Sequence, residues 1–207
     1  MTTQSTRSAG VGVDFRMSPK DLINIGIFGA LYLVIMGLFN ALEFISPLVT
    51  LVSVLIGIVA AGVPFMLFLT RVRHAGMITV FAVIVNGFML LIGSPPIGFA
   101  VGMVTAVGAE ALLWLGRYRS RTLSVLAYAV FSGWNVGLFL PLFYARADFL
   151  SSPYMRSMGT AYTSALSTLL SPLVLLAFDL LTVVFGLIGG ALGIRLLDKH
   201  FRKAGLA

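Results

Sequence analysis

Residues 173–197, LVLLAFDLLTVVFGLIGGALGIRLL, decide the fold. A helix needs roughly 20 mostly apolar residues to cross about 30 Å of hydrocarbon, and this stretch supplies them with a single acid, Asp179, and a single base, Arg195. Working outward, five more runs of the same kind appear. They are Leu22 to Leu42, Leu48 to Thr70, Ala75 to Gly93, Ile97 to Leu115 and Leu123 to Tyr144, the third being the weakest. The breaks between them are Ser46-Pro47, then Arg71, Arg73 and His74, then Ser94-Pro95-Pro96, then Arg117, Arg119 and Arg121. The reading is an all-α membrane protein with six transmembrane helices in one bundle over residues 19–204. Residues 1–18 lack the apolar core of a signal peptide and read as a flexible cytoplasmic tail.

Composition agrees. The 207 residues are 59% hydrophobic and only 10% charged, and mean hydropathy is +1.04, whereas soluble domains carry about 25% charged residues. Disordered, disulfide-rich secreted and cytosolic enzyme classes are excluded. With no Cys there is neither a disulfide framework nor thiolate chemistry. The net charge of +7 does not indicate nucleic-acid binding, because the bases sit in short clusters between apolar runs.

Those clusters set the orientation. With the N-terminus inside, only Arg146 and Arg156 of the 14 Lys and Arg fall outside, so the positive-inside rule gives N-in and C-in. This places the protein in the bacterial cell membrane with both termini cytoplasmic. The connection between spans five and six, residues 146–171, is then a long external loop. Within it, Pro153 to Leu170 reads as an interfacial helix, with Tyr154, Met158, Tyr162 and Leu166 at helical spacing. Such a loop suits either a lid or a seal on the bundle end.

In lipid, helices associate by close packing, so small residues four apart mark contact faces. Gly57/Ala61, Gly102/Ala106, Gly186/Gly190 and Gly189/Gly193 read as internal packing. Gly26/Ala30, with Gly29 beside them, lie in the inner half of span one and read as a docking face for another membrane subunit.

Polar residues within spans are expensive and mark functional sites by default. Asn40 and Glu43 fall at the outer end of span one, Asn86 in the outer half of span three, Trp134 and Asn135 in that of span five, and Asp179 in that of span six. At ~1.5 Å rise per residue, Asn86, Asn135 and Asp179 lie within roughly 12 Å of the outer edge. Converging there, they would form a pocket in which Asp179 accepts hydrogen bonds or balances a cation, the amides donate and accept, and Trp134 stacks. The alternative is that these groups bond one another and hold the bundle together. Trp134, Tyr144 and Tyr154 would suit a ring compound with several donors, such as a vitamin or its precursor. Asp179 and Glu43 disfavour a strongly anionic ligand unless Arg146 or Arg156 folds over it. Glu110, seven residues before Arg117, lies too deep for that pocket; it reads as structural, with a role at a subunit contact as the alternative. His74 and His200 both flank spans, so no intramembrane metal site is expected, and no cofactor. No HExxH, Walker A or GxSxG sequence is present, so any ATP coupling must come from another subunit.

Three stretches, KDLINIGIFGALY (20–32), YAVFSGWNVGLFLPLFYAR (128–146) and LDKHFRKAGL (197–206), resemble the bacterial membrane family Trep_Strep. That family is treated as substrate-binding (S) components of energy-coupling-factor (ECF) transporters. The resemblance runs from Pro19 to Leu206. It implies a six-helix subunit that captures a micronutrient at its outer side, associates with a membrane scaffold subunit and two cytosolic ATPases, and tilts to release its cargo inside. S components dock through small residues four apart in the first helix, a pattern that Gly26 and Ala30 match. The competing expectations are a structural or sensory membrane subunit, and an intramembrane enzyme using Glu110 or Asp179 as acid or base. The latter needs two converging groups, and these carboxylates lie at opposite depths.

Overall fold

The computed structural model describes residues 17–72 and 74–201, without the side chains of His200 and Phe201. The expected tail therefore lies outside the described residues up to residue 16. Arg7, Arg16, Arg73, Arg202, Lys203 and the His200 side chain lie outside them as well.

Every regular element described is helical. In chain order they are α1 (Pro19–Asn40, extended by a 3-10 turn Ala41–Phe44), α2 (Pro47–Leu69), α3 (Met77–Leu91), α4 (Pro96–Leu115) and α5 (Arg121–Ser132). After a 3-10 turn at Gly133–Asn135 come α6 (Val136–Phe139), α7 (Pro141–Tyr144), α8 (Arg146–Leu150), α9 (Pro153–Ser157), α10 (Thr160–Leu169) and α11 (Pro172–Leu196).

A repeated local device starts these helices. Ser18-Pro19, Ser46-Pro47, Ser152-Pro153 and Ser171-Pro172 each place a serine at the N-cap and a proline at the first helical position. The serine Oγ accepts the backbone N–H three residues on, and proline lacks the N–H that would be orphaned there. Asp21 completes a capping box by accepting from the Ser18 N–H at 2.8 Å.

Five segments are long and apolar enough to cross a membrane: Pro19–Phe44, Pro47–Leu69, Pro96–Leu115, Arg121–Phe139 and Pro172–Lys199. The third expected span, Ala75 to Gly93, is not among them. Its helix, α3, has only 15 residues, about 22 Å at ~1.5 Å per residue, short of the ~30 Å of hydrocarbon. Gly76 (φ 91°) and Gly93 (φ 100°) bound it in the left-handed region, where the chain leaves the helix. The fifth span also ends earlier than expected, because Gly133–Asn135 tightens and Pro141 and Ala145 divide the remainder into short turns. The expected interfacial helix is broken in two by Gly159, at φ 88°.

The six longest helices close a ring. α1 packs on α2, α2 on α11, α11 on α5, α5 on α4, α4 on α3 and α3 back on α1, with α2 and α5 touching across the middle. Aromatic side chains fill that middle. Phe65 stacks on Phe131 and Phe68 on Phe81, both at 4.9 Å between ring centres, while Tyr32 meets Phe81 and Phe131 edge-on. Their polar tips are satisfied within the core: Tyr128 donates to the Ile58 carbonyl and Trp134 Nε1 donates to Tyr32 Oη at 3.0 Å.

The ring has two unlike ends. At one lie the start of α1, the arginine-bearing turns after α2 and α4, and the end of α11. There Arg121 pairs in bidentate fashion with Asp198 (2.9 and 3.0 Å), and His74 meets Asp21 at 3.0 Å. At the other end, α7 to α10 fold over the α1–α2 and α3–α4 connections.

Candidate ligand-binding cavity

Beneath that cover lies a cavity of about 260 Å³. The end of α1 contributes Asn40, Glu43 and Phe44, and the first turns of α2 contribute Thr50 and Val54. Met89, Ile92, Ser94 and Pro95 close one side from α3 and its exit turn. Leu138 and Phe139 of α6 and Phe149 of α8 close another, and Tyr154, Met155 and Tyr162 of α9 and α10 form the roof. A second, larger cavity of about 600 Å³ adjoins it and shares Ile92, Ser94, Pro95, Phe149 and Tyr154; Asp148 lies on its wall.

Two polar contacts latch the roof to the bundle. Tyr154 Oη donates to Glu43 Oε2 at 3.0 Å. Thr50 Oγ1 and Tyr162 Oη lie 2.9 Å apart, and Thr50 also donates to the Ser46 carbonyl at 3.1 Å, so the phenol supplies the proton between them. Burial raises the phenol of Tyr154, with the Glu43 charge adding to the effect, and burial likewise raises that of Tyr162. Both therefore remain protonated donors at neutral pH. Phe149, Met155, Leu166 and Leu170 anchor the cover with their side chains buried. Arg146 ties its two halves together by donating to the carbonyls of Leu170 (2.8 Å) and Ser167 (2.5 Å). Arg156 Nε donates to the Ser151 carbonyl at 2.6 Å. Neither arginine lines either cavity.

Of the site residues expected from sequence, Asn40 and Glu43 line the smaller cavity. Asn86, Trp134, Asn135, Tyr144 and Asp179 line neither of the two. Asn86 is buried, donates to the Ala82 carbonyl at 2.9 Å and packs against Gly102, where a Cβ would fall on its amide. Trp134 is locked to Tyr32. Asn135 donates to the Ser132 carbonyl, while its Oδ1 is buried without a partner. Tyr144 is 66% exposed, away from the ring. Asp179 is half-buried on α11, with one carboxylate oxygen buried and unpartnered. Thr50, Phe139 and Phe149 were not anticipated; only the placement of α8 and of the α2 cap brings them together, and no residue pattern announces it.

Glu110 has a structural setting. Its Oε2 accepts the backbone N–H groups of Ile78 and Thr79 (3.0 and 3.3 Å), capping α3 from the neighbouring helix, and Oε1 accepts from Tyr118 at 2.8 Å. Burial and that carboxylate both raise the Tyr118 phenol.

Among the described residues no group of His, Cys, Asp and Glu could hold a metal ion. The apolar helices and the covered cavity define a multi-pass integral membrane protein. A model of the family described as hypothetical bacterial integral membrane protein (Trep_Strep) matches residues 19–203, and the chain belongs to that family. Comparison with curated proteins and with solved structures found no match.

Proposed function

We propose that the chain is the substrate-specific S subunit of an ECF-type importer in the bacterial cytoplasmic membrane. It captures a small micronutrient, a vitamin or precursor, outside the cell and delivers it inward with a membrane scaffold subunit and two cytosolic ATPases. The observation that carries this reading is the covered cavity at the end of the bundle opposite the arginine-rich turns. Lys and Arg near span ends mark the cytoplasmic side, which turns the cavity outward. In this reading α3 counts as a sixth span, its connecting turns making up its length, and both termini are cytoplasmic. The cover over the cavity acts as a lid, held by Tyr154 and Tyr162.

The chain lacks an ATP-hydrolysis motif and, in this reading, catalyses nothing itself. Its docking face is the outer side of α1. Gly26 and Ala30 are exposed there, and a Cβ on Gly26 would meet nothing within 4 Å. Gly29 is different: it is buried, facing Ile84 and Phe81 at 3.7 and 3.9 Å, so the docking face consists of Gly26 and Ala30 without it.

The test is copurification. Gly26→Leu or Ala30→Leu should abolish recovery of the scaffold subunit while the isolated chain keeps its elution profile and melting temperature in detergent. Unchanged recovery would remove the docking assignment.

A further inference from the structure

The charge of the smaller cavity is one-sided. Among the described residues Glu43 is the only acid on its wall, and no Lys, Arg or His lines it. The Glu43 side chain is half-buried, and one oxygen is engaged by Tyr154; the other has no hydrogen-bond partner among the described residues. Arg146 and Arg156, the bases of the cover, donate to backbone carbonyls and line neither cavity. The adjoining larger cavity repeats the pattern, with Asp148 and no base.

An anionic ligand would meet this carboxylate with nothing to offset it, and a neutral donor could hydrogen-bond to it but would leave its charge uncompensated. A metal ion would want several converging ligands, and no group of three His, Cys, Asp or Glu that could hold one exists among the described residues. What remains is an organic cation with a largely apolar body. The rings of Phe139, Phe149, Tyr154 and Tyr162 suit it, because aromatic faces attract cations within about 6 Å of the ring centre. The volume of about 260 Å³ lies below the ~300–1,000 Å³ usual for drug-sized ligands, so the occupant is small.

Resting on the capture reading above, we propose that this cavity binds a small organic cation with a flat apolar body, and that the Glu43 carboxylate is its counter-charge. Asn40 and Ser94, on the same wall, supply neutral hydrogen bonds. Because the same carboxylate accepts from Tyr154, a cation arriving at Glu43 competes with the roof contact or completes it, which couples occupancy to the position of the cover.

The test uses three probes of matched shape and different charge: 2-phenylethylamine, 2-phenylethanol and 3-phenylpropionate. Each is measured by equilibrium dialysis against the purified full chain in detergent at pH 7. The amine should bind at least tenfold more tightly than the other two. Glu43→Gln should lower amine affinity at least tenfold and leave alcohol binding unchanged. The assignment is overturned if the alcohol or the carboxylate binds as well as the amine, if the amine does not bind, or if Glu43→Gln retains it. The wild-type comparison stands even if the variant fails to fold. Binding of the neutral or anionic probe that Tyr154→Ala abolishes would keep capture and discard the cation; no binding by any probe would count against both.

Discussion

At the residue scale, Glu110 shows how a membrane carboxylate can serve architecture. The N-cap of α3 is Gly76, which has no side chain to cap it, so the first N–H groups of that helix would be orphaned in an apolar setting. Glu110 reaches across from α4 to accept two of them, and Tyr118 fixes its other oxygen. Hydrogen bonds to a charged group are worth ~1.5–3 kcal/mol each, so removing this acceptor leaves donors that nothing replaces. Glu110→Ala should therefore destabilise the detergent-solubilised chain by about 2–4 kcal/mol, with Glu110→Gln costing less, read as a fall in melting temperature. Tyr118→Phe, which releases only one oxygen, should cost less than Glu110→Ala. A null result for Glu110→Ala would mean that water caps α3 equally well. The sequence made Glu110 stand out as a costly acid inside a span; its partner lay 32 residues away on another helix and was not legible.

At the element scale, the glycines of α11 are a packing surface. A Cβ on Gly189 would lie 2.9 Å from the Ile58 carbonyl and the Val59 Cα, and one on Gly186 would lie 2.8 Å from the Ala129 Cα. On the facing side, a Cβ at Gly62 would sit 2.5 Å from the Gly189 backbone. α11 thus approaches α2 backbone to backbone at Gly189 and Gly62, and α5 at Gly186, where only glycine fits, in keeping with small-residue contacts in lipid. Gly26 on α1 has open space instead. The same spacing of small residues therefore means opposite things on the two helices. Gly189→Leu should collapse the monodisperse elution peak of the isolated chain, whereas Gly26→Leu should leave it unchanged. If Gly189→Leu stayed monodisperse, the close approach of α2 and α11 would be wrong.

For the whole molecule, the arrangement separates a basic end from a covered end. Cys is absent from the sequence, so single cysteines report sidedness cleanly. Ser157→Cys, on the exposed end of α9, should react with a membrane-impermeant maleimide in intact cells. Arg119→Cys, in the α4–α5 turn, should react only after permeabilisation. The reverse pattern would place the cavity on the cytoplasmic side and remove the import reading.

Hydrophobic run length, serine–proline breaks and arginine clusters determined the membrane class, the approximate helices and the basic end, because the cost of exposing backbone and charge to hydrocarbon acts locally along the chain. The third run, Ala75 to Gly93, was the weakest in the sequence, and its helix is shorter still because the chain leaves it at Gly76 and after Leu91. Position along a helix is set by the sequence, and Asn40 and Glu43, at the end of α1, line the cavity. Azimuth is not. Asn86, Asn135 and Asp179 were expected at a similar depth but line neither cavity, because whether a side chain faces the cavity, a neighbouring helix or the bundle's edge depends on how each helix is rotated about its axis. That rotation is set by the combined packing of all six helices and the folded cover, and only the tertiary structure decides it.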